Sequence, residues 1–157
     1  MGMQTDVKSQ HAAASGLMVP FRTRLKGAII FPFSGATGYS AFVENTSIAG
    51  TYARVTTTAT ITSANHGLTT GQWVYLDWDL TDNPYQVTVT DANTFTVTVA
   101  DSGGASGNVT VYNKMLLQAD ASNATAFNIV VPGEGILADQ GIRVFLGANI
   151  HCTVFYA

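Results

Sequence analysis

The stretch ITSANHGLTTGQWVYLDWDLTDNPYQVTVTDANTFTVTV, from Ile61 to Val99, decides the fold class. Threonine alternates in it with valine and phenylalanine at period two. Val87 and Val89, then Phe95, Val97 and Val99, fall on one face of a pleated strand, and Thr88, Thr90, Thr94, Thr96 and Thr98 fall on the other. The break at Asp91-Ala92-Asn93 is short and made of turn-tolerant residues, which predicts a hairpin. Upstream, Val55, Thr57, Ala59 and Ile61 alternate with Arg54, Thr56, Thr58 and Thr60, and Val74, Leu76 and Trp78 alternate with Trp73, Tyr75 and Asp77. With Asn108 to Tyr112 this predicts a five-strand, Thr-rich unit, and nothing in it has the look of an active site.

Outward from that unit the chain changes character. Arg24 to Phe33 reads as a strand with apolar residues on both faces, followed by a turn at Ser34 to Gly38, a short strand at Tyr39 to Glu44 and a linker at Asn45 to Gly50. After Tyr112 come strands at Lys114 to Gln118 and Ala126 to Val131, and a hairpin of Ile142 to Leu146 with Ile150 to Tyr156 about the turn Gly147-Ala148-Asn149. No segment carries sustained helical periodicity. The expected fold is therefore all-β: an antiparallel, jelly-roll-like β-sandwich from 24–50 and 114–157, with a small β-domain at 51–113 inserted at a hairpin tip. A single continuous sandwich is the alternative. Residues 1–23, rich in alanine, serine and glycine and without strand alternation, are expected to form an extended arm.

Composition narrows the function. The chain has 157 residues, enough for a core without disulfides, and its one cysteine, Cys152, faces the same way as Ile150 and Val154 and reads as a buried small hydrophobe. Only 11% of residues are charged, against roughly 25% in a typical soluble domain, and mean hydropathy is positive at +0.20. No apolar run approaches the roughly 20 residues of a membrane helix, so no membrane partner is expected and the apolar excess points to a surface covered by other subunits. Seven basic residues are outnumbered by ten acidic ones, which argues against nucleic acid.

The letters that could carry chemistry do not assemble into motifs. Gly133-Glu134-Gly135-Ile136-Leu137-Ala138 spells G-x-G-x-x-A, but glycine and a strand follow where a helix is required, so it reads as a turn and no nucleotide cofactor is expected. Asp77, Asp79, Asp82 and Asn83 miss the EF-hand spacing, and no metal is expected. His11, His66 and His151 lie in three separate regions without ligand spacing, and no nucleophile elbow is present, so the chain does not read as an enzyme. The sequons at Asn45, Asn108 and Asn123 carry no weight, because the order of polar, alanine-rich and apolar residues before Pro20 is wrong for a secretory signal.

Thr62-Ser63-Ala64-Asn65-His66-Gly67-Leu68-Thr69-Thr70-Gly71-Gln72-Trp73-Val74, followed by Tyr85-Gln86-Val87 and Asp91-Ala92-Asn93-Thr94-Phe95-Thr96-Val97, resembles a small His-Gly-Leu β-module that recurs in bacteriophage structural proteins. The flanks, with Met3 to Lys8, Arg22 to Gly27, Val130 to Gly135 and Thr153 to Tyr156, resemble small virion proteins of T7-like phages of marine bacteria. The resemblance implies a non-enzymatic component of the virion, a capsid decoration or knob-like protein or a tail accessory protein, and supplies no catalytic residues. In that reading the arm and base sandwich dock on other virion proteins and the inserted domain projects. Leu17, Met18, Val19 and Phe21 would be the apolar anchor, and Arg22, Arg24 and Lys26 would pair with acidic groups of the partner. The strands that are apolar on both faces predict a homo-oligomer, and the resemblance to phage projections points to a trimer. The alternative is a receptor- or glycan-binding module in which exposed Trp73 and Tyr75 stack on sugar rings.

Overall fold

The computed structural model describes residues 7–81, 83–121 and 125–157. Asp82, and the expected arm and sequon residues at 1–6 and 122–124, lie outside the described residues. The strands are β1 (Lys8–Ala12), β2 (Gly16–Val19), β3 (Thr23–Pro32), β4 (Gly38–Glu44), β5 (Ile48–Val55), β6 (Thr58–Thr62), β7 (Trp73–Trp78) and β8 (Asn83–Gln86). They continue as β9 (Thr88–Asp91), β10 (Thr94–Thr98), β11 (Ser106–Tyr112), β12 (Met115–Ala121), β13 (Phe127–Val130), β14 (Ile136–Ala138), β15 (Ile142–Leu146) and β16 (Ile150–Tyr156). All described pairings are antiparallel. The fold is all-β, and among the described residues no helix is long and apolar enough to cross a membrane.

The chain divides into two compact units, one comprising the segment up to Asn45 with Leu116–Ala157 and the other Thr46–Met115. The first, the base unit, is a sandwich of a β1-β16-β3-β13 sheet, with β14 also on β3, and a β12-β4-β15-β2 sheet. Leu25, Ala28, Ile30, Ile150, Cys152 and Val154 from one sheet and Val19, Phe42, Leu116, Ile142 and Val144 from the other build its core. Each row of neighbours alternates inward and outward with the pleat. Hence Ile30 and its partner Cys152 point in, while Phe31 and its partner His151 point out.

The second, inserted unit is one seven-stranded sheet in the order β8-β7-β11-β5-β6-β10-β9. Its edge strands β8 and β9 flank the single residue Val87, so a continuous segment pairs first with β7 and then with β10. The sheet therefore curls into a nearly closed barrel, which leaves few edge groups unpaired. Tyr52, Ile61, Val74, Leu76, Trp78, Val87, Phe95, Val97 and Val111 fill its interior.

Several expectations are corrected. The arm is not free beyond residue 7: β1 pairs with β16 along Lys8↔Tyr156 to Ala12↔Cys152, and β2 pairs with β15. Four of the five β1 side chains are exposed, so the strand is held by backbone hydrogen bonds and leaves no alternation to read. Ile48 to Gly50 is not linker but the start of β5. A Cβ on Gly50 would sit 2.7 Å from the Thr62 carbonyl oxygen, so the glycine serves close strand approach. Arg54 to Ile61 is not one strand, because Thr56 takes a left-handed conformation (φ 50) and the chain reverses there into the β5–β6 hairpin. Ile136–Ala138, read as part of a turn, pairs with β3.

Candidate functional site

The residues expected to anchor the chain on a partner are divided by the fold. Met18 and Val19 are both buried and belong to the base core, where the pairing of β2 with β15 shifts register and skips Met18, so they cannot serve as an external anchor. Leu17 (43% exposed) and Phe21 (52%) remain open. The three cations are engaged within the chain. Arg22 Nε donates to Asp139 at 3.0 Å, Arg24 Nη1 to the Gly135 carbonyl at 3.4 Å and Lys26 Nζ to the Gly133 carbonyl at 3.2 Å. Pairing of β14 with β3 brings the Pro132–Gly135 turn alongside them. With Glu134, Leu137 and Ala157 they line a hollow of about 270 Å³.

The outer face of the β1-β16-β3 sheet gathers rings that sequence spacing did not connect. His11 and His151 lie 5.8 Å apart between ring centroids, His11 is edge-on to Phe31 at 6.2 Å, and His151 stacks on Phe33 at 5.5 Å with planes 3° apart. His11 Nδ1 is 3.2 Å from the Thr153 hydroxyl. Phe33 is 61% exposed. Ile29 and Phe155 extend the same face, since they are outward by pleat. The signal that could have found this cluster is the pairing of the first strand with the last, which brings residues 11 and 151 together. Cys152 points the opposite way, and burial pushes its thiol up to about 12, which makes it an inert core residue.

In the inserted unit the His-Gly-Leu turn is a structural knot. His66 is 1% exposed; its Nδ1 accepts from the Leu68 N–H at 3.0 Å and its Nε2 donates to the Asp91 carbonyl at 3.0 Å. Those partners fix the neutral Nε2–H tautomer. Asn113 Nδ2 donates to the His66 carbonyl at 3.1 Å, and the Asn65 N–H donates to Asn93 Oδ1 at 2.9 Å. The turn is thereby tied to the β9–β10 hairpin and to the end of β11. Gly67 follows at φ +65, a conformation other residues resist.

The acidic residues are likewise structural where they are engaged. The Tyr52 hydroxyl donates to Asp79, and burial together with that hydrogen bond pushes the phenol up to about 12. Arg54 donates to Asp101 at 2.7 Å and to the carbonyls of Gly103 and Gly104, closing the loop 101–105 over β5. Among the described residues no group of three or more His, Cys, Asp and Glu is placed to hold a metal ion.

The two aromatics expected to form a platform part company. Tyr75 is 2% exposed, its ring edge-on to Tyr112 at 6.4 Å, and is unavailable to a ligand. Trp73 is 43% exposed and lines a hollow of about 530 Å³ with Thr70, Asn83, Gln86, Thr88 and Thr98. No known protein family, curated protein or solved structure matches this chain.

Proposed function

We propose that this chain is a non-enzymatic structural component of a bacteriophage particle, docking through its base unit and carrying the inserted barrel as a separate module. The observation that supports this best is the ring-rich outer face of the β1-β16-β3 sheet, with His11, Phe31, Phe33, His151 and Phe155 at one surface. An open sheet face bearing half-exposed aromatic rings is costly in water and suited to burial against protein. Its counterpart is another virion protein or a second copy of the chain, and the expected closed assembly is a homotrimer. The low charge of the whole chain favours the same reading, and the resemblance of its His-Gly-Leu module and flanks to phage structural proteins supplies the particle. Neither nucleic acid nor membrane is invoked as a partner, and no cofactor is required.

Immunogold labelling of gradient-purified particles with an antibody to the chain tests location. Gold on a fixed part of every particle, head or tail, is expected. Particles without label, from lysates in which the chain is abundant, would refute the assignment.

A further inference from the structure

We propose that the hollow beside Trp73 binds a neutral saccharide. Its volume, about 530 Å³, lies in the range of ligand pockets, roughly 300–1,000 Å³. The hollow arises from the way the barrel closes. Trp73 and Gln86 are cross-strand partners on the outer face of the β7–β8 pair, and the segment bends at Val87 to join β10, which brings Thr88 and Thr98 to the opposite wall. Trp73, 43% exposed, lines the hollow that the bend creates.

The chemistry of the lining selects the ligand class. Thr70, Thr88 and Thr98 offer hydroxyls, Asn83 and Gln86 offer amides, and no charged side chain is among the described lining residues. Phosphates and carboxylates are recognised by cations, and quaternary amines by cages of aromatic rings. Neither is here. A wholly apolar ligand would strip water from the hydroxyls and amides without replacing their hydrogen bonds. A pyranose has what the hollow complements: a C–H face to lie on the indole and an equator of hydroxyls that both donate and accept. Trp78, by contrast, is 8% exposed and its indole N–H is used on the Thr81 carbonyl at 3.2 Å.

The walls are fixed before any ligand arrives. Gln86 Nε2 donates to the Gly71 carbonyl at 3.0 Å, and the Val89 N–H donates to Thr70 Oγ1 at 2.9 Å. The Gly71 N–H donates to the Val87 carbonyl at 2.8 Å, and the Val87 N–H to the Gln72 carbonyl at 3.0 Å. The Tyr85 hydroxyl donates to the Thr81 carbonyl at 2.6 Å. A preformed wall spares the ligand the cost of ordering loops.

The test uses the full chain, isotopically labelled, titrated with cellohexaose, maltohexaose and mannohexaose, with trigalacturonate as the charged control. The two tryptophans give two indole N–H resonances. At least one neutral hexasaccharide should shift the Trp73 signal with a Kd of about 0.1–10 mM while the Trp78 signal stays in place. Trp73→Ala should weaken binding at least about tenfold. Thr88→Lys, which keeps the indole and places a charged chain in the hollow, should do the same. Absence of a Trp73 shift with all three neutral sugars, tighter binding of the galacturonate, or binding that survives both variants would overturn the proposal. Trp73→Ala should leave particle attachment unchanged, so this site and the docking face stand or fall separately.

Discussion

Replacing His66 by leucine removes one ring that satisfies two backbone groups. The Leu68 N–H is buried, and losing its acceptor costs about 1–3 kcal/mol, whereas the Asp91 carbonyl, at an exposed residue, regains water and costs well under 1 kcal/mol. Loss of the edge-on contact with Phe95, 5.2 Å between centroids, adds about 0.5–1.5 kcal/mol. Leucine recovers part of the apolar burial, so the net destabilisation of the inserted unit is about 2–4 kcal/mol. Both tryptophans, Trp73 and Trp78, lie in that unit, so urea unfolding followed by tryptophan fluorescence reports on it directly. His66→Asn keeps an acceptor near the Nδ1 position while losing the Nε2 donor, and should recover at least half of the loss. An unchanged urea midpoint for His66→Leu, or an asparagine variant no better than leucine, would refute the view that the His-Gly-Leu turn is held by the buried Leu68 hydrogen bond.

Alkaline stability should depend on Tyr52. Its folded pKa of about 12 lies above the ordinary 10.0, so its stabilising contribution is complete below pH 10 and is lost as pH rises through about 12. Absorbance titration of the phenols should include Tyr52 in a late ionisation, and Tyr52→Phe should remove one tyrosine from that late step. Gly27→Ala should disrupt the β3–β13 edge of the base unit, because a Cβ there meets the Ile129 carbonyl oxygen at 2.5 Å. A loss of roughly 2–4 kcal/mol is expected in denaturant unfolding followed by far-ultraviolet circular dichroism; a variant as stable as the parent would contradict the pairing.

The Thr-rich alternation made the pattern of β6 and β10 readable because each buries one face and turns threonines to the other. The expected hairpin of Ile142–Leu146 with Ile150–Tyr156 is corrected, since the two strands, though joined by a short turn, pair in different sheets. Most of the other unread features are ones in which side-chain pattern plays no part. β1 is an edge strand bonded through its backbone, with polar residues on both sides. The reversal at Thr56 uses a left-handed threonine in place of the glycine or asparagine that would have announced it. Barrel closure turns on Val87, whose alternation reads the same whether its segment pairs with one neighbour or changes partner midway. The candidate sites show the same division. Exposure of Trp73 followed from its place opposite Val74 on a strand, but Tyr75 shares that face and is buried, and period-two reasoning cannot separate two residues on one face. The His11–His151 cluster needs the pairing of the chain's two ends, which no local spacing encodes.

The docking face is tested most directly by counting copies of the chain in purified particles. Quantitative mass spectrometry would compare particles assembled with the parent chain and with the Phe31→Asp, Phe33→Asp variant. Phe33 is 61% exposed and Phe31 points away from the core, so the variant should fold while placing two carboxylates on the ring face. The parent is expected at a constant copy number per particle, and the variant at less than about a tenth of it, because desolvating unpaired charge costs more than the contact returns. Equal incorporation of both chains would contradict docking through this face, and absence of the parent from the particles would contradict the structural role itself.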